Sequence, residues 1–92
     1  MAIAIATFMI MPLDPEQDLD KITVEADKLI REFAGDTEHR VTREPIAFGL
    51  VAIKFIFVVD EKKGSLDSLQ DDIKKIEGVN SCELSDWRRA IG

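Results

Sequence analysis

The sequence predicts an α+β fold in which two helices cover one face of a four-stranded antiparallel sheet, in the order β-α-β-β-α-β. Three observations carry this reading. An uncharged run from Ile3 to Met11 stops at Pro12, and a second apolar run from Leu50 to Val59 is rich in β-branched and aromatic residues. Two further segments, one before and one after that second run, space their apolar residues by three and four, the period of a helix with one buried stripe. The chain has 92 residues, 46% hydrophobic and 33% charged, which fits one globular domain over residues 1–92 rather than a disordered segment. A body of this size buries one thin apolar layer, so its function is expected on a surface rather than in an enclosed cavity.

The first strand alternates Ala4, Ala6, Phe8 and Ile10 with Ile3, Ile5, Thr7, Met9 and Met11, and both sets are apolar enough to face a core. Pro12 ends it by removing a ladder donor. Asp14 followed by Pro15 predicts a helix start, with Asp14 as N-cap and Pro15 at the first helical position. Leu19, Ile22, Ala26, Leu29, Ile30 and Phe33 form the stripe of that helix to about Ala34, and Gly35 supplies a left-handed terminus. Thr37 to Glu44 is polar apart from Val41, which suits an edge strand, and Pro45 and Gly49 bracket the turn after it. Leu50 to Val59 reads as a central strand with Val51, Ile53, Phe55, Phe57 and Val59 on its buried face and Lys54 on the other.

Asp60 to Gly64 is a solvated loop, after which Ser65 caps a second helix with a stripe of Leu66, Leu69, Ile73 and Ile76 ended by Gly78. The last strand runs from Val79 to about Arg88, with Cys82 and Leu84 inward and Ser81, Glu83 and Ser85 outward. Right-handed crossovers then put the first and third strands in the centre, the ferredoxin-like split β-α-β arrangement, and leave the polar second strand on an edge.

The formal net charge of −6 argues against nucleic acid or a membrane surface as the main partner, because phosphate binding draws on clustered Lys and Arg. The apolar N-terminal run has no basic residue before it and is far shorter than the ~20 residues that span a bilayer. A single cysteine, Cys82, excludes an internal disulfide and any zinc-ligand spacing, so a reducing cytoplasm is the expected compartment. Asp14, Glu16, Asp18 and Asp20 do not form a calcium loop, since Leu19 stands where such a loop requires glycine; they read as helix-capping charge. His39 reads as a surface residue of the edge strand, with no nucleophile predicted beside it, and no glycine-rich phosphate loop is present. No enzyme chemistry, cofactor or metal is therefore expected.

Two features stand apart. Phe48 lies in the turn Glu44-Pro45-Ile46-Ala47-Phe48-Gly49, where a large ring either folds back to close one end of the core or protrudes as an interface anchor. Trp87-Arg88-Arg89 is a basic end to an acidic chain, either a solubilising terminus or a contact; adjacent arginines on a strand point to opposite faces.

With these residues in view, the chain resembles the archaeal form of the elongation factor 1-beta family, the guanine-nucleotide exchange factors for the elongation factor 1-alpha GTPase. The resemblance covers essentially the whole chain. It rests on Glu44-Pro45-Ile46-Ala47-Phe48-Gly49-Leu50, on Val58-Val59-Asp60-Glu61 with Ser65-Leu66-Asp67, and on Trp87-Arg88-Arg89. It implies that Phe48, flanked by Pro45 and Gly49, packs against the nucleotide-binding domain of elongation factor 1-alpha. It also implies that a basic residue after Trp87 reaches the GTPase's magnesium and γ-phosphate region. The family has lysine there in its eukaryotic members. Here Arg89 takes the place, with Arg88 as the alternative, and a planar fork is not a point charge. The implied factor is a monomer when free and acts by binding, without covalent catalysis. The residues alone also allow a regulatory or subunit-interaction module that pairs through sheet edges. Phe48 and Arg89 are expected at opposite ends of the sheet, roughly 20–30 Å apart.

Overall fold

The computed structural model describes residues 3–35 and 38–91; Thr37, at the start of the expected second strand, lies outside them. The elements are β1 (Ile3–Pro12), α1 (Leu19–Ala34), β2 (His39–Pro45), β3 (Val51–Asp60), a 3-10 turn (Glu61–Lys63), α2 (Asp67–Lys74) and β4 (Val79–Ile91). They form one sheet in the order β2-β3-β1-β4, with each neighbouring pair antiparallel. This is the ferredoxin-like arrangement, with β1 and β3 central as the sequence predicts.

The register of β1 against β3 decides which set of β1 residues is inside. Phe8 faces Phe55, Ala6 faces Phe57 and Ala4 faces Val59, and all six are buried. Ile22, Ala26, Ile30 and Ala34 of α1 and Leu69 and Ile73 of α2 close over them. The rings of Phe8 and Phe57 meet edge to face at 5.2 Å, and Ala4 and Ala6 leave room for that bulk beside the helices. Among the described residues, no helix covers the opposite face, where Ile5, Met9, Lys54, Ile56 and Val58 are half-buried.

Helix α1 begins later than Asp14-Pro15 predicts. Asp14 accepts from the Glu16 N–H (2.9 Å) and its carbonyl from the Gln17 N–H (3.4 Å), while the Leu13 N–H bonds to the Gly78 carbonyl (2.9 Å). This local turn ties down the segment, and Asp18 becomes the N-cap, accepting from the Lys21 N–H at 3.2 Å. Helix α2 starts at Asp67, whose N–H bonds to the Ser65 hydroxyl (3.1 Å), so Ser65 supplies the capping oxygen although Leu66 precedes the helix. The expected solvated loop after β3 is a 3-10 turn capped by Asp60, which accepts from the Lys62 N–H at 2.9 Å. Gly78 is favoured by its φ of +93°, a left-handed conformation that other residues adopt only at a cost, and its open Cα lets the Gln17 side chain lie close against it.

His39 is not a surface residue. It pairs with Phe57 in the register, so its ring turns to the helix side, where its side chain is only 5% exposed and Nδ1 lies 2.8 Å from Asp27 Oδ1. Asp27 also accepts from Arg31 Nε at 2.8 Å, and Arg43 pairs with Asp20 further along. These contacts fasten the polar edge strand to α1.

Burial alone would raise the Asp27 carboxyl, but the hydrogen bonds from Arg31 and His39 outweigh it and hold the group below the ordinary carboxylate value. A depressed folded value contributes stability that is present above the unfolded value of about 3.9 and lost as pH falls through the lower folded one. Asp27→Asn is therefore expected to cost about 1–2 kcal/mol at pH 7 and progressively less below about pH 4, read by urea denaturation across that range. Burial pushes the Cys82 thiol up to about 12. Iodoacetamide at pH 8 is expected to leave Cys82 unmodified in the native protein and to label it in urea, as followed by mass spectrometry.

Candidate functional site

The turn between β2 and β3 is built from its backbone. The Ile46 N–H donates to the Leu50 carbonyl at 2.8 Å and the Leu50 N–H to the Ala47 carbonyl at 3.1 Å, closing the loop tightly. Closure requires two successive left-handed residues, Phe48 at φ +60° and Gly49 at φ +78°. Glycine adopts this region freely, whereas Phe48 is the one non-glycine residue with positive φ among the described residues. The consequence for its ring is plain: Phe48 is 94% exposed and does not close the core. Strain that displays a large apolar group to solvent is a mark of a contact surface.

Phe48 has company that sequence reasoning missed. Leu13 and Ile46 are also exposed and lie at the same end of the sheet, where β1 and β2 finish and β3 begins. Pro15, in the turn after Leu13, lies against Gly49: a Cβ on that glycine would be 3.9 Å from the proline ring. The available signal was an apolar residue placed between the strand-ending Pro12 and the Asp14-Pro15 turn.

The basic segment sits toward the other end. β4 extends past Arg88 to Ile91, and its pairing with β1 shifts register at Asn80, Ser85 and Ala90, each left without a β1 partner. The shift at Ser85 reverses the alternation. Leu84 pairs with Phe8 and Trp87 with Ala6, so both face the helix side, yet each stays partly exposed on this outer strand. Leu84 is thus turned inward as expected without being enclosed.

Arg89, opposite Ala4, is on the helix side, and Arg88, opposite Ile5, is on the open side. Each arginine has its own acid. Arg88 Nε lies 3.1 Å from Asp86 Oδ2 on the same strand. Arg89 grips Glu61 with two hydrogen bonds, Nε to Oε2 at 2.8 Å and Nη2 to Oε1 at 2.9 Å. The Arg89 hydrogen bond holds the Glu61 carboxyl below its usual range, and the same bond raises the guanidinium. Glu61, read from sequence as one residue of a solvated loop, is therefore part of the arrangement.

The structure gathers Pro45, Phe48 and Gly49 at one end and Trp87, Arg88 and Arg89 toward the other, and does not bring the two groups together. Val51 and Val59, the β3 residues nearest the two groups, are separated by about 26 Å of strand. Among the described residues, no group of three or more His, Cys, Asp or Glu is placed to hold a metal ion, and no helix is long and apolar enough to cross a membrane. The arrangement offers a protruding ring and a held guanidinium on a rigid sheet, with the means to touch another protein at two separated points.

The EF-1 guanine nucleotide exchange domain family matches residues 5–89. Elongation factor 1-beta of Methanothermobacter thermautotrophicus is 37% identical over 91 residues, covering 99% of this chain and 100% of that protein. The protein of the same name from Methanobrevibacter smithii is 38% identical over the same shares. The one from Thermococcus gammatolerans is 37% identical over 87% of each chain. Among solved structures, the ACT domain from GTP pyrophosphokinase of Chlorobium tepidum superposes with a TM-score of 0.52 at 25% identity, covering 86% of this chain and 94% of that one. The family match over residues 5–89, together with elongation factor 1-beta relatives covered over their whole length, places this chain in the EF-1 guanine nucleotide exchange domain family.

Proposed function

We propose that this chain, acting as one domain over residues 1–92, promotes the exchange of GDP for GTP on elongation factor 1-alpha by loosening that GTPase's magnesium and phosphate site. The single observation that carries the reading is the exposed, backbone-strained Phe48, a ring with no role in the protein's own core. Pro45 and Gly49 set the turn that presents it. Phe48 is the anchor, Arg89 beside Trp87 is the perturbing charge, and Arg88 points to the other face. The factor works in the cytoplasm, needs no cofactor of its own, and is a monomer when free.

A GTPase holds its nucleotide through backbone amides, a lysine and a magnesium ion that bridges phosphate oxygens. A cation brought to that region competes with the metal for the same negative charge, and a body docked beside it shifts the phosphate loop. Each tenfold gain in release needs about 1.4 kcal/mol, which binding of the factor supplies. Linkage makes the effect reciprocal: the factor binds the empty GTPase more tightly than the loaded one, and incoming GTP expels it. No covalent step is involved.

Phe48→Ala is expected to raise the concentration needed for half-maximal release of labelled GDP by about tenfold or more, with little change in thermal stability. Arg89→Ala is expected to lower the maximal release rate with less effect on that concentration. Unaltered release in both variants would overturn the site assignment. Phe48→Gly tests the strain itself: it is expected to unfold at a higher temperature than Phe48→Ala, by about 1 kcal/mol of stability, because glycine accepts the left-handed backbone.

A further inference from the structure

Arg89 lies at the outer strand of the sheet with its side chain 62% exposed, whereas its partner Glu61 is only 20% exposed. The carboxylate is the better-fixed half of the pair. It belongs to the 3-10 turn that Asp60 caps through the Lys62 N–H and that Gly64 closes, its N–H returning to the Glu61 carbonyl. Arg88, by contrast, leans on an acid two residues away on its own strand.

The geometry of the grip matters more than its strength. A guanidinium has five N–H donors on a rigid plane. Glu61 engages Nε and Nη2, the side-on edge of the fork. Among the described residues, the end-on edge, formed by Nη1 and the second proton of Nη2, takes no other partner and is open to a second anion. A lysine held through one N–H keeps two more donors, but they diverge from a rotating ammonium and form no parallel pair in a fixed plane.

We propose that Glu61 is the positioning residue for Arg89, holding the guanidinium side-on so that its end-on edge is presented to an anionic group of the GTPase. The inference rests on the reading that Arg89 acts on elongation factor 1-alpha. Restricting the fork before contact reduces the ordering cost at the moment of contact, so the benefit belongs to the step in which nucleotide is loosened rather than to docking through Phe48.

The test is a double-mutant cycle on release of labelled GDP from elongation factor 1-alpha, measured over a range of factor concentrations, with thermal melts to establish that each variant is folded. Glu61→Gln is expected to lower the maximal rate by about two- to fivefold while leaving the half-saturating concentration unchanged. In the Arg89→Ala background the same substitution is expected to change nothing further, since the group it positions is gone. An additive loss in the double variant, or release as fast as wild type or faster with Glu61→Gln while Arg89→Ala slows it, overturns the positioning role and leaves the reading of Arg89 standing. Full release with Arg89→Ala overturns that reading itself.

Discussion

The register between β1 and β3 is the constraint on which everything else in this molecule depends. Phe8 against Phe55 and Ala6 against Phe57 put both β3 phenylalanines on the face that the helices cover. A slip of β3 by one residue would turn Phe55 and Phe57 to water and drive Lys54 and Ile56 toward α1 and α2. The same register sets the distance between the two displayed features, because the Phe48 turn enters β3 at one end and Ala4, the partner of Arg89, pairs with Val59 near the other.

A rigid central pair allows the periphery to be irregular. β2 carries almost no apolar side chain, yet it is held because His39 and Arg43 reach across to Asp27 and Asp20 on α1. β4 departs from regular pairing at Asn80, Ser85 and Ala90, and such bulges both coil an outer strand and discourage another sheet from adding to it. The shift at Ser85 re-aims Trp87 and Arg89 to the helix side.

The two displayed groups are presented by different physics. Phe48 is held out by backbone conformation: two left-handed residues in a closed turn leave the ring no path back to the core. Arg89 is held by a charge-assisted pair with Glu61. The first device is independent of pH and salt. The second weakens as ionic strength screens it.

Much of this was legible in the residues. Apolar periodicity, the strand-ending Pro12 and the glycines at Gly35 and Gly78 determined the order of elements, the split topology and the central place of β1 and β3. Local chemistry also marked Phe48 and the arginines as residues in search of a role. What local chemistry could not decide was anything that depended on a partner far away in the chain. Both faces of β1 were apolar enough to be inside, so only pairing with β3 chose between them. Asp14 was the expected cap, but its carboxylate closes a local turn on the Glu16 N–H while Leu13 bonds to Gly78, and Asp18 caps the helix instead. His39 was polar and on a polar strand, but Asp27, 12 residues earlier, drew it into the interior. The side on which Arg89 emerges followed from an extra residue in β4 that no alternation pattern records. Sequence determines what each segment prefers by itself; tertiary structure alone decides between preferences that are locally equal, because the deciding contacts join residues that the chain keeps apart.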